Sequence, residues 1–196
     1  MAQKLILPVN NCKVTVSYKW GNAYALNYDG RTHYGMDMYG NSTVYAIGTG
    51  TVVACGWDNV CGNVVVIRYN DVADHVYGGS YDVIVRYYHL ASIRVKKGQA
   101  VTKDTVVGII GSTGTHVDGI HLHLEIDKDT QYPCYTPTLS GNSNLLKRGR
   151  RGAKDTTIDP RRVLHCKVSA PDRQSIAAVN GTNWVDPRDA QIPKIQ

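Results

Sequence analysis

Short segments in which apolar and polar side chains alternate, separated by glycine-rich turns, constrain this chain more than any other feature. These segments span residues 51–55, 63–69, 81–90, 95–101, 105–111 and 119–126. Alternation places every second side chain on the same face of a strand, and turn signals between such segments favour hairpins. No window has the spacing of a long amphipathic helix. The pattern therefore predicts a mainly β fold, an antiparallel sheet or sandwich core of many short strands.

The segments outside these strands predict the domain organisation. Residues 132–157 contain prolines, a Ser/Gly/Asn stretch and a run of basic side chains, so we expect a long basic loop. Residues 158–164 are expected to return to the body as a short element. Residues 169–196 are polar and contain three prolines, which favours an extended tail. The predicted organisation is one domain over residues 1–168, followed by the tail.

Composition excludes several classes of protein. With 42% apolar and 19% charged residues, the chain is too hydrophobic to be disordered and too lightly charged for a coiled coil. No stretch approaches the roughly 20 apolar residues of a membrane span, so no membrane partner is expected. The N-terminus has only the short apolar run Leu5-Ile6-Leu7, so we expect no ordinary cleaved signal peptide, unless one was removed before residue 1.

The five cysteines leave two interpretations open. Cys55 and Cys61 flank a predicted turn, so a disulfide between them is geometrically plausible. Buried free thiols are an equally weighted alternative. The chain has no CxxC pair, which argues against a structural zinc knuckle or a thioredoxin-like motif.

The pattern His33-x-Gly35-x-Asp37 is a candidate metal-binding pair. In an extended backbone, side chains i and i+4 share a face, and the glycine between them leaves room for an ion. Imidazole nitrogen and carboxylate oxygen are both ordinary zinc ligands. Alone the pattern is weak, because a His and an Asp at this spacing are more often two polar surface groups.

A second cluster lies in the segment 119–126. Alternation places His121, His123 and Glu125 on one face, opposite apolar side chains that we expect to face the core. Ionisable groups are costly to bury unless they are paired or bind metal, although a solvent-facing polar strip is the alternative. Glu125, the only glutamate, is placed to accept a hydrogen bond from a ligand imidazole.

These motifs together resemble the M23 (LytM/lysostaphin-like) zinc metallopeptidases. Order, spacing and residue type agree in the HxGxD pattern, in the triplet Tyr88-His89-Leu90 and in Gly119–Glu125. A lone His such as His89 would otherwise be more often structural. The resemblance covers residues 28–127 and implies the barrel-sandwich-hybrid-like antiparallel core of that family.

The resemblance also implies roles and a substrate. His33, Asp37 and His123 would bind Zn²⁺, and His89 and His121 would be the catalytic histidines. Three protein ligands with an open fourth position are typical of a catalytic zinc. The implied activity is hydrolysis of peptide bonds in the stems or cross-bridges of bacterial peptidoglycan, outside the cell. In the expected absence of a signal peptide, this suits a phage-type lysin that is virion-associated or released by lysis. A bacteriocin, or a bacterial wall-remodelling enzyme recorded without its leader, is the open alternative.

Two other functions compete with this interpretation. The Val- and Gly-rich rhythm of residues 95–111 also occurs in lipoyl- and biotin-carrier domains, but the chain lacks the exposed hairpin lysine motif of a carrier. The second alternative is a catalytically silent protein of the same fold, a structural or activator component of a phage tail or cell-wall complex. Such proteins lose ligands, whereas this chain keeps all five positions.

The net charge of +6 suggests a nucleic-acid partner, but its distribution argues against one. Residues 1–146 carry 11 basic and 11 acidic side chains, whereas residues 147–196 carry 11 and 5. A nucleic-acid surface more typically runs across a folded face with aromatic side chains beside it. We therefore expect no nucleic-acid partner. The basic loop 147–154 is interpreted either as a contact for an anionic wall polymer or as a solvated loop.

Overall fold

The computed structural model describes residues 1–16, 18, 33–139, 141–148, 155–165 and 176–179. Its regular elements are β1 (Cys12–Val16), β2 (Met36–Tyr39), β3 (Thr43–Tyr45), β4 (Gly50–Asp58), β5 (Gly62–Ala73), β6 (Ser80–Leu90), β7 (Ser92–Ile93), β8 (Ala100–Val101), β9 (Val106–Ile109), β10 (Leu122–Asp127), β11 (Tyr135–Thr136), β12 (Lys147–Arg148), β13 (Thr157–Ile158), a 3₁₀ turn (Pro160–Arg162) and β14 (Ile176–Val179). The described residues contain no α-helix. None of them belongs to a helix long and apolar enough to cross a membrane.

The strands form one large sheet and two small ones. The large sheet has the order β14-β1-β2-β10-β6-β5-β4-β8, and β13 also pairs with β10. A three-stranded sheet has the order β3-β9-β7, and β11 pairs with β12. Apart from β1–β14 and β11–β12, the pairings are antiparallel. The predicted antiparallel β core is confirmed.

The main hydrophobic core joins the large sheet to the three-stranded one. Val44 of β3 and Val107 of β9 belong to the same buried cluster as Met36, Leu124 and Val85 of the large sheet. Burying a side chain of this kind contributes about 1.5–3 kcal/mol. This packing covers one face of the sheet, so the residues at alternate positions face the other way.

A second buried cluster covers that opposite face. It contains Val64 of β5 and Ile84 of β6, together with Leu139 and Leu146 from the predicted loop. Residues 132–139 and 141–148 are therefore mostly loop, as predicted, but Leu139 and Leu146 also pack on the body as a cover for the sheet. This cluster stabilises the face from which the chemistry-bearing side chains project.

The same five-residue pattern, Asp-x-Val-x-Gly, occurs at both turns that flank β5. The sequence Asp58–Gly62 leads from β4 into β5, and Asp74–Gly78 leads from β5 to β6. In each copy the Asp Oδ1 accepts hydrogen bonds from the N–H groups two and three residues later. The glycines have φ values of 73° and 78°, which only glycine adopts without steric cost. The two turns, called here the first and second Asp turns, lie at opposite ends of β5.

The strands differ from the predicted ones mainly at their ends. β4 extends to Asp58 and β5 begins at Gly62, so the turn between them is shorter than predicted. Of the strand predicted at 95–101, only Ala100–Val101 forms, because a turn at Lys97–Gly98 interrupts it. The sequence interpretation missed β1, β2 and β3, which have only three to five residues each. The element expected at 158–164 contains the end of β13 and the 3₁₀ turn.

The disulfide considered between Cys55 and Cys61 is not formed. Cys55 pairs across the hairpin with Val65 and packs against the main core, whereas Cys61 belongs to the cluster on the opposite face. The two thiols therefore point to different sides of the sheet. The cysteines that the structure describes, Cys12, Cys55, Cys61 and Cys134, are not joined in disulfides, and Cys166 lies outside the described residues.

The predicted tail and basic loop lie largely outside the described residues. Within the tail 169–196, only Ile176–Val179 is described, and it pairs with β1 as β14. Within the loop 147–154, Lys147 and Arg148 form β12, and the Lys147 Nζ donates a hydrogen bond to the carbonyl of Ser143 at 2.9 Å.

Candidate metal centre and active site

Three neighbouring strands bring the predicted metal ligands together. His123 of β10 lies directly opposite Asp37 of β2 on one side and Tyr88 of β6 on the other. The residues before and after Asp37 and His123 belong to the main core, so alternation directs the two polar side chains to the other face. The division of faces predicted for the segment 119–126 is therefore confirmed.

A single carboxylate oxygen lies at the centre of the site. The Oδ1 of Asp37 is 2.9 Å from the Nδ1 of His123, 3.1 Å from the Nε2 of His33 and 3.7 Å from the Nε2 of His121. His33 lies before β2, and the chain bends at Gly35, so the segment from His33 to Asp37 is not one extended strand. The side chains of His33, Asp37 and His123 are 11%, 10% and 7% exposed.

The donor set formed by His33, Asp37 and His123 fits a zinc ion. One ligand atom from each lies within 4.8 Å of the others, and among the described residues no second such group of three occurs. Two imidazole nitrogens and one carboxylate oxygen are typical zinc ligands. The Nε2 of His123 is buried and has no hydrogen-bond partner. Any side chain at Gly35 would collide with this imidazole, so the glycine leaves the space that the site needs.

The electrostatics of the site favour the protonation states that bind metal. Burial would raise the pKa of Asp37, but the neighbouring His33 and His123 hold it well below its ordinary value. Burial lowers the pKa of His123, although Asp37 opposes this effect. The carboxylate is therefore charged and the imidazole neutral at neutral pH, as metal ligation requires.

His89 and His121 lie side by side next to this group. Their ring centroids are 5.0 Å apart, and the ring of His89 is 6.3 Å from that of His123. The Nδ1 of His89 lies 3.0 Å from the carbonyl of Thr113, and the Nδ1 of His121 lies 3.3 Å from the carbonyl of Gly119. A carbonyl can only accept, so each of these two Nδ1 atoms carries a proton and donates it.

Burial and two neighbouring imidazoles act on the pKa of His89. Burial first, and then the imidazoles of His123 and His121, lower the pKa of His89 to about 4. His89 is 4% exposed. The ring is therefore neutral near pH 7 and can accept a proton at Nε2.

Tyr88 supports the ligand side chain from the neighbouring strand. Its ring stacks on the imidazole of His123 with centroids 5.2 Å apart and planes 8° from parallel. The sequence leaves two roles open for Tyr88, lining a substrate groove or packing, and this stacking is a packing contact. Burial raises the pKa of Tyr88 well above its ordinary value, so the phenol is neutral.

The contact predicted for Glu125 is not formed. Its carboxylate lies on the expected face, but it pairs with the buried Arg86 directly opposite on β6 and accepts hydrogen bonds from Thr136 and Thr138 at 2.8 and 2.6 Å. It therefore does not accept a hydrogen bond from a ligand imidazole. The physical reason is the charge of Arg86, which also binds Asp127 and which the sequence interpretation overlooked.

The other three histidines lie apart from this group. His75 and His165 form a pair with ring centroids 4.4 Å apart, and His75 belongs to the second Asp turn. His116 is exposed on the loop before β10. The sequence interpretation gave none of the three a role in the chemistry.

Comparison with known proteins identifies the family. Residues 31–133 match the sequence profile of peptidase family M23. The chain therefore belongs to peptidase family M23.

Two curated proteins are similar to part of this chain. Over 93 residues the chain is 41% identical to the peptidoglycan DD-endopeptidase ShyA of Vibrio cholerae, a match that covers 44% of this chain and 20% of the relative. Over 120 residues it is 32% identical to lysostaphin of Staphylococcus simulans, a match that covers 60% of this chain and 22% of that relative. The chain thus spans about a fifth of the length of these relatives.

Solved structures carry the same fold. The catalytic domain of lysostaphin from Staphylococcus simulans superposes with a TM-score of 0.50 at 31% identity, covering 61% of this chain and 83% of that domain. A zinc-containing peptidase from Vibrio cholerae superposes with a TM-score of 0.51 at 29% identity, and the match covers 64% of this chain and 37% of that peptidase. Both likenesses agree with the family assignment.

Proposed function

We propose that this chain is a zinc-dependent endopeptidase that hydrolyses peptide bonds in bacterial peptidoglycan. The observation that carries the proposal is that His33 and His123 both lie against one carboxylate oxygen of Asp37, with His89 and His121 beside this group. Membership of peptidase family M23 and the similarity to ShyA and lysostaphin support the same substrate class.

In this proposal His33, Asp37 and His123 would hold the zinc ion. Bound zinc would polarise the scissile carbonyl as a Lewis acid and lower the pKa of bound water toward about 7. Tyr88 and Gly35 keep the ring of His123 in place, one by stacking and the other by leaving space. Such fixed geometry matters because small displacements of a ligand reduce metal affinity and activity.

His89 and His121 would move the protons. Each has its Nδ1–H directed to a backbone carbonyl, so its Nε2 is the atom available to the substrate side. Because His89 is neutral near pH 7, it can take a proton from the attacking water at Nε2. The same proton can then pass to the leaving amine, which must be protonated to depart.

The proposed place of action follows from the substrate. Peptidoglycan lies in the cell wall, so the protein would act outside the cytoplasm. Delivery in a virion or by lysis stays a prediction, and neighbouring phage tail or lysis genes would support it. Contact between the loop 147–154 and an anionic wall polymer also stays a prediction.

The decisive test measures hydrolysis and metal together. Purified peptidoglycan is incubated with the protein as isolated, after treatment with a chelator, and after zinc is restored. We expect new amino groups with the first and third samples and none with the second. We also expect about one zinc per chain by elemental analysis.

A matched variant makes the test specific. His33→Ala should lose the bound zinc and the release of amino groups, whereas His116→Ala, at an exposed loop position, should keep both. If the zinc-loaded protein released no amino groups, the proposed activity would be wrong. If the chelated protein stayed active, the proposed metal dependence would be wrong.

A further inference from the structure

His89 has an unusual backbone that needs support. Its φ is 63°, in the left-handed region that residues other than glycine rarely adopt. A conformation of this kind costs about 1–3 kcal/mol and persists only where the surroundings hold it. The structure must therefore supply contacts that fix both the backbone and the ring of His89.

The first Asp turn and the loop beside it supply those contacts. The N–H of His89 donates to the carbonyl of Cys61 at 2.9 Å, and the carbonyl of His89 accepts from the N–H of Thr113 at 3.4 Å. The Nδ1–H of the ring donates to the carbonyl of Thr113 at 3.0 Å. His89 is thus held between Cys61 on one side and Thr113 on the other.

These two supports also hold each other. Gly62 and Gly114 lie in close contact, and a Cβ on Gly62 would collide with the side chain and backbone of Thr113. The hydroxyl of Thr113 accepts a hydrogen bond from the N–H of Asn63 at 3.0 Å. The position of Thr113, and with it the hydrogen bond to the His89 ring, therefore depends on the shape of the first Asp turn.

One buried carboxylate determines that shape. Asp58 is fully buried, and its Oδ1 accepts from the N–H groups of Val60 and Cys61 at 2.9 and 3.0 Å. Its Oδ2 accepts from the N–H groups of Leu145 and Leu146 at 3.2 and 2.9 Å. Without this carboxylate the four N–H groups would lose their acceptor, and for the two buried hydrogen bonds, from Cys61 and Leu146, such a loss costs about 1–3 kcal/mol each.

We propose that Asp58 is a positioning residue for His89, acting through the first Asp turn. The carboxylate holds the backbone of Cys61, and the carbonyl of Cys61 holds the strained backbone of His89. Through Leu145 and Leu146 it also attaches residues 141–148, which lie beyond the part of the chain that matches the family profile. This inference rests on the proposed function only in so far as His89 takes part in catalysis.

Three variants test the proposal, with the second Asp turn as control. Asp58→Ala removes every acceptor, and Asp58→Asn keeps one oxygen for the turn. Asp74→Ala breaks the equivalent bonds to Val76 and Tyr77, far along β5 from His89. The readouts are thermal unfolding, zinc content, release of amino groups from peptidoglycan and the ¹⁵N-correlated imidazole Nδ1–H signal of His89.

We expect Asp58→Ala to keep its zinc but to lose the His89 Nδ1–H signal and to hydrolyse peptidoglycan about tenfold or more slowly. Asp58→Asn should recover the signal and most of the rate, despite a lower unfolding midpoint. Asp74→Ala should lower the midpoint while leaving the signal and the rate within about twofold of the parent. The proposal would be wrong if Asp58→Ala kept both signal and rate, or if Asp74→Ala lost both.

Hydrogen exchange on the unmodified protein tests the same coupling without any variant. The amides of Val60, Cys61 and His89 should open together, with one free energy, and separately from those of Val76 and Tyr77. If the His89 amide opened independently of Val60 and Cys61, the proposal would fail. Neither this measurement nor the imidazole signal depends on hydrolysis, so a protein without peptidase activity would contradict the proposed function and still test the role of Asp58.

Discussion

The two Asp turns at the ends of β5 have the same sequence pattern, and only one of them supports the candidate active site. Both aspartates are buried and accept from the N–H groups two and three residues later. Each also ties down a distant segment, Asp58 through Leu146 and Asp74 through Arg162. Local sequence and local hydrogen bonding therefore do not decide where the chemistry lies.

The difference lies in what each turn faces. A pair of imidazoles lies at each end of the hairpin formed by β5 and β6. The ring centroids of His89 and His121 are 5.0 Å apart at the first end, and those of His75 and His165 are 4.4 Å apart at the second. The first pair lies next to the carboxylate of Asp37. At the second end, the Oδ2 of Asp74 is bonded to a guanidinium and to the hydroxyl of Tyr81 at 2.8 Å. A carboxylate used in this way stabilises the fold and is not open to a metal ion.

Replacing one imidazole at each end should give the largest contrast. We expect His123→Ala to lower zinc affinity and peptidoglycan hydrolysis by about a hundredfold or more, because it removes a proposed ligand. His165→Ala, at the second end, should leave both unchanged. Isothermal titration with zinc and an amino-group assay measure the two effects. Equal losses in the two variants would remove the distinction between the ends.

The next contrast separates metal binding from proton transfer. His89→Ala should keep zinc at about one per chain but reduce hydrolysis by about 10²–10⁴-fold, the usual contribution of a positioned base. His75→Ala should change neither quantity. Elemental analysis and the amino-group assay are again sufficient. Loss of zinc from His89→Ala would show that this residue is a ligand, contrary to the proposed role.

A smaller effect is expected from the glycines of the two turns. Gly62→Ala places a methyl group against Thr113, whereas a Cβ on Gly78 meets no atom within 4 Å. Both variants carry the cost of a positive φ, about 1–2 kcal/mol, but only Gly62→Ala adds a clash, of about 1–3 kcal/mol. Denaturant unfolding should show the larger loss for Gly62→Ala, together with slower hydrolysis. Similar losses in both variants would contradict the close packing at the first turn.

The smallest expected effect concerns how the stability of the fold changes at acidic pH. Burial would raise the pKa of Asp74, but the N–H of Tyr77 and the Arg162 guanidinium hold it below its ordinary value. A depressed pKa stabilises the fold above the unfolded-state value of about 4, and this stability is lost as the pH falls through the folded-state pKa. The unfolding midpoint of Asp74→Asn should therefore fall less than that of the parent between pH 6 and about pH 3. If the unfolding midpoints of the two proteins fell equally with pH, the proposed contribution of the Asp74–Arg162 ion pair to stability would be wrong.

Sequence patterns predict much of the fold where alternation is strong. The face division of β10 follows from alternation alone, since a polar residue at every second position leaves the leucines for the core. The metal group was predicted by resemblance at His33, Asp37 and His123, and the structure brings these three residues together.

The rest depends on register between distant strands, which no local pattern specifies. Alternation predicts the face of Glu125 but not its partner, because Arg86 lies 39 residues away on β6. Likewise, both Asp-x-Val-x-Gly patterns are visible in the sequence, but nothing local indicates that only Asp58 stands beside His89. The Cys55–Cys61 alternative also depended on register, since β4 continues past Cys55 and places the two thiols on opposite faces.

Anomalous diffraction at the zinc absorption edge, from crystals grown with one equivalent of zinc, tests the central claim most directly. The claim is that the metal site lies at the end of β5 that carries the first Asp turn, and not at the end that carries the second Asp turn, although the two turns have the same sequence pattern. We expect a single strong peak in contact with His33, Asp37 and His123, and none at the His75–His165 pair. A peak at that second pair, or no peak at Asp37, would contradict it.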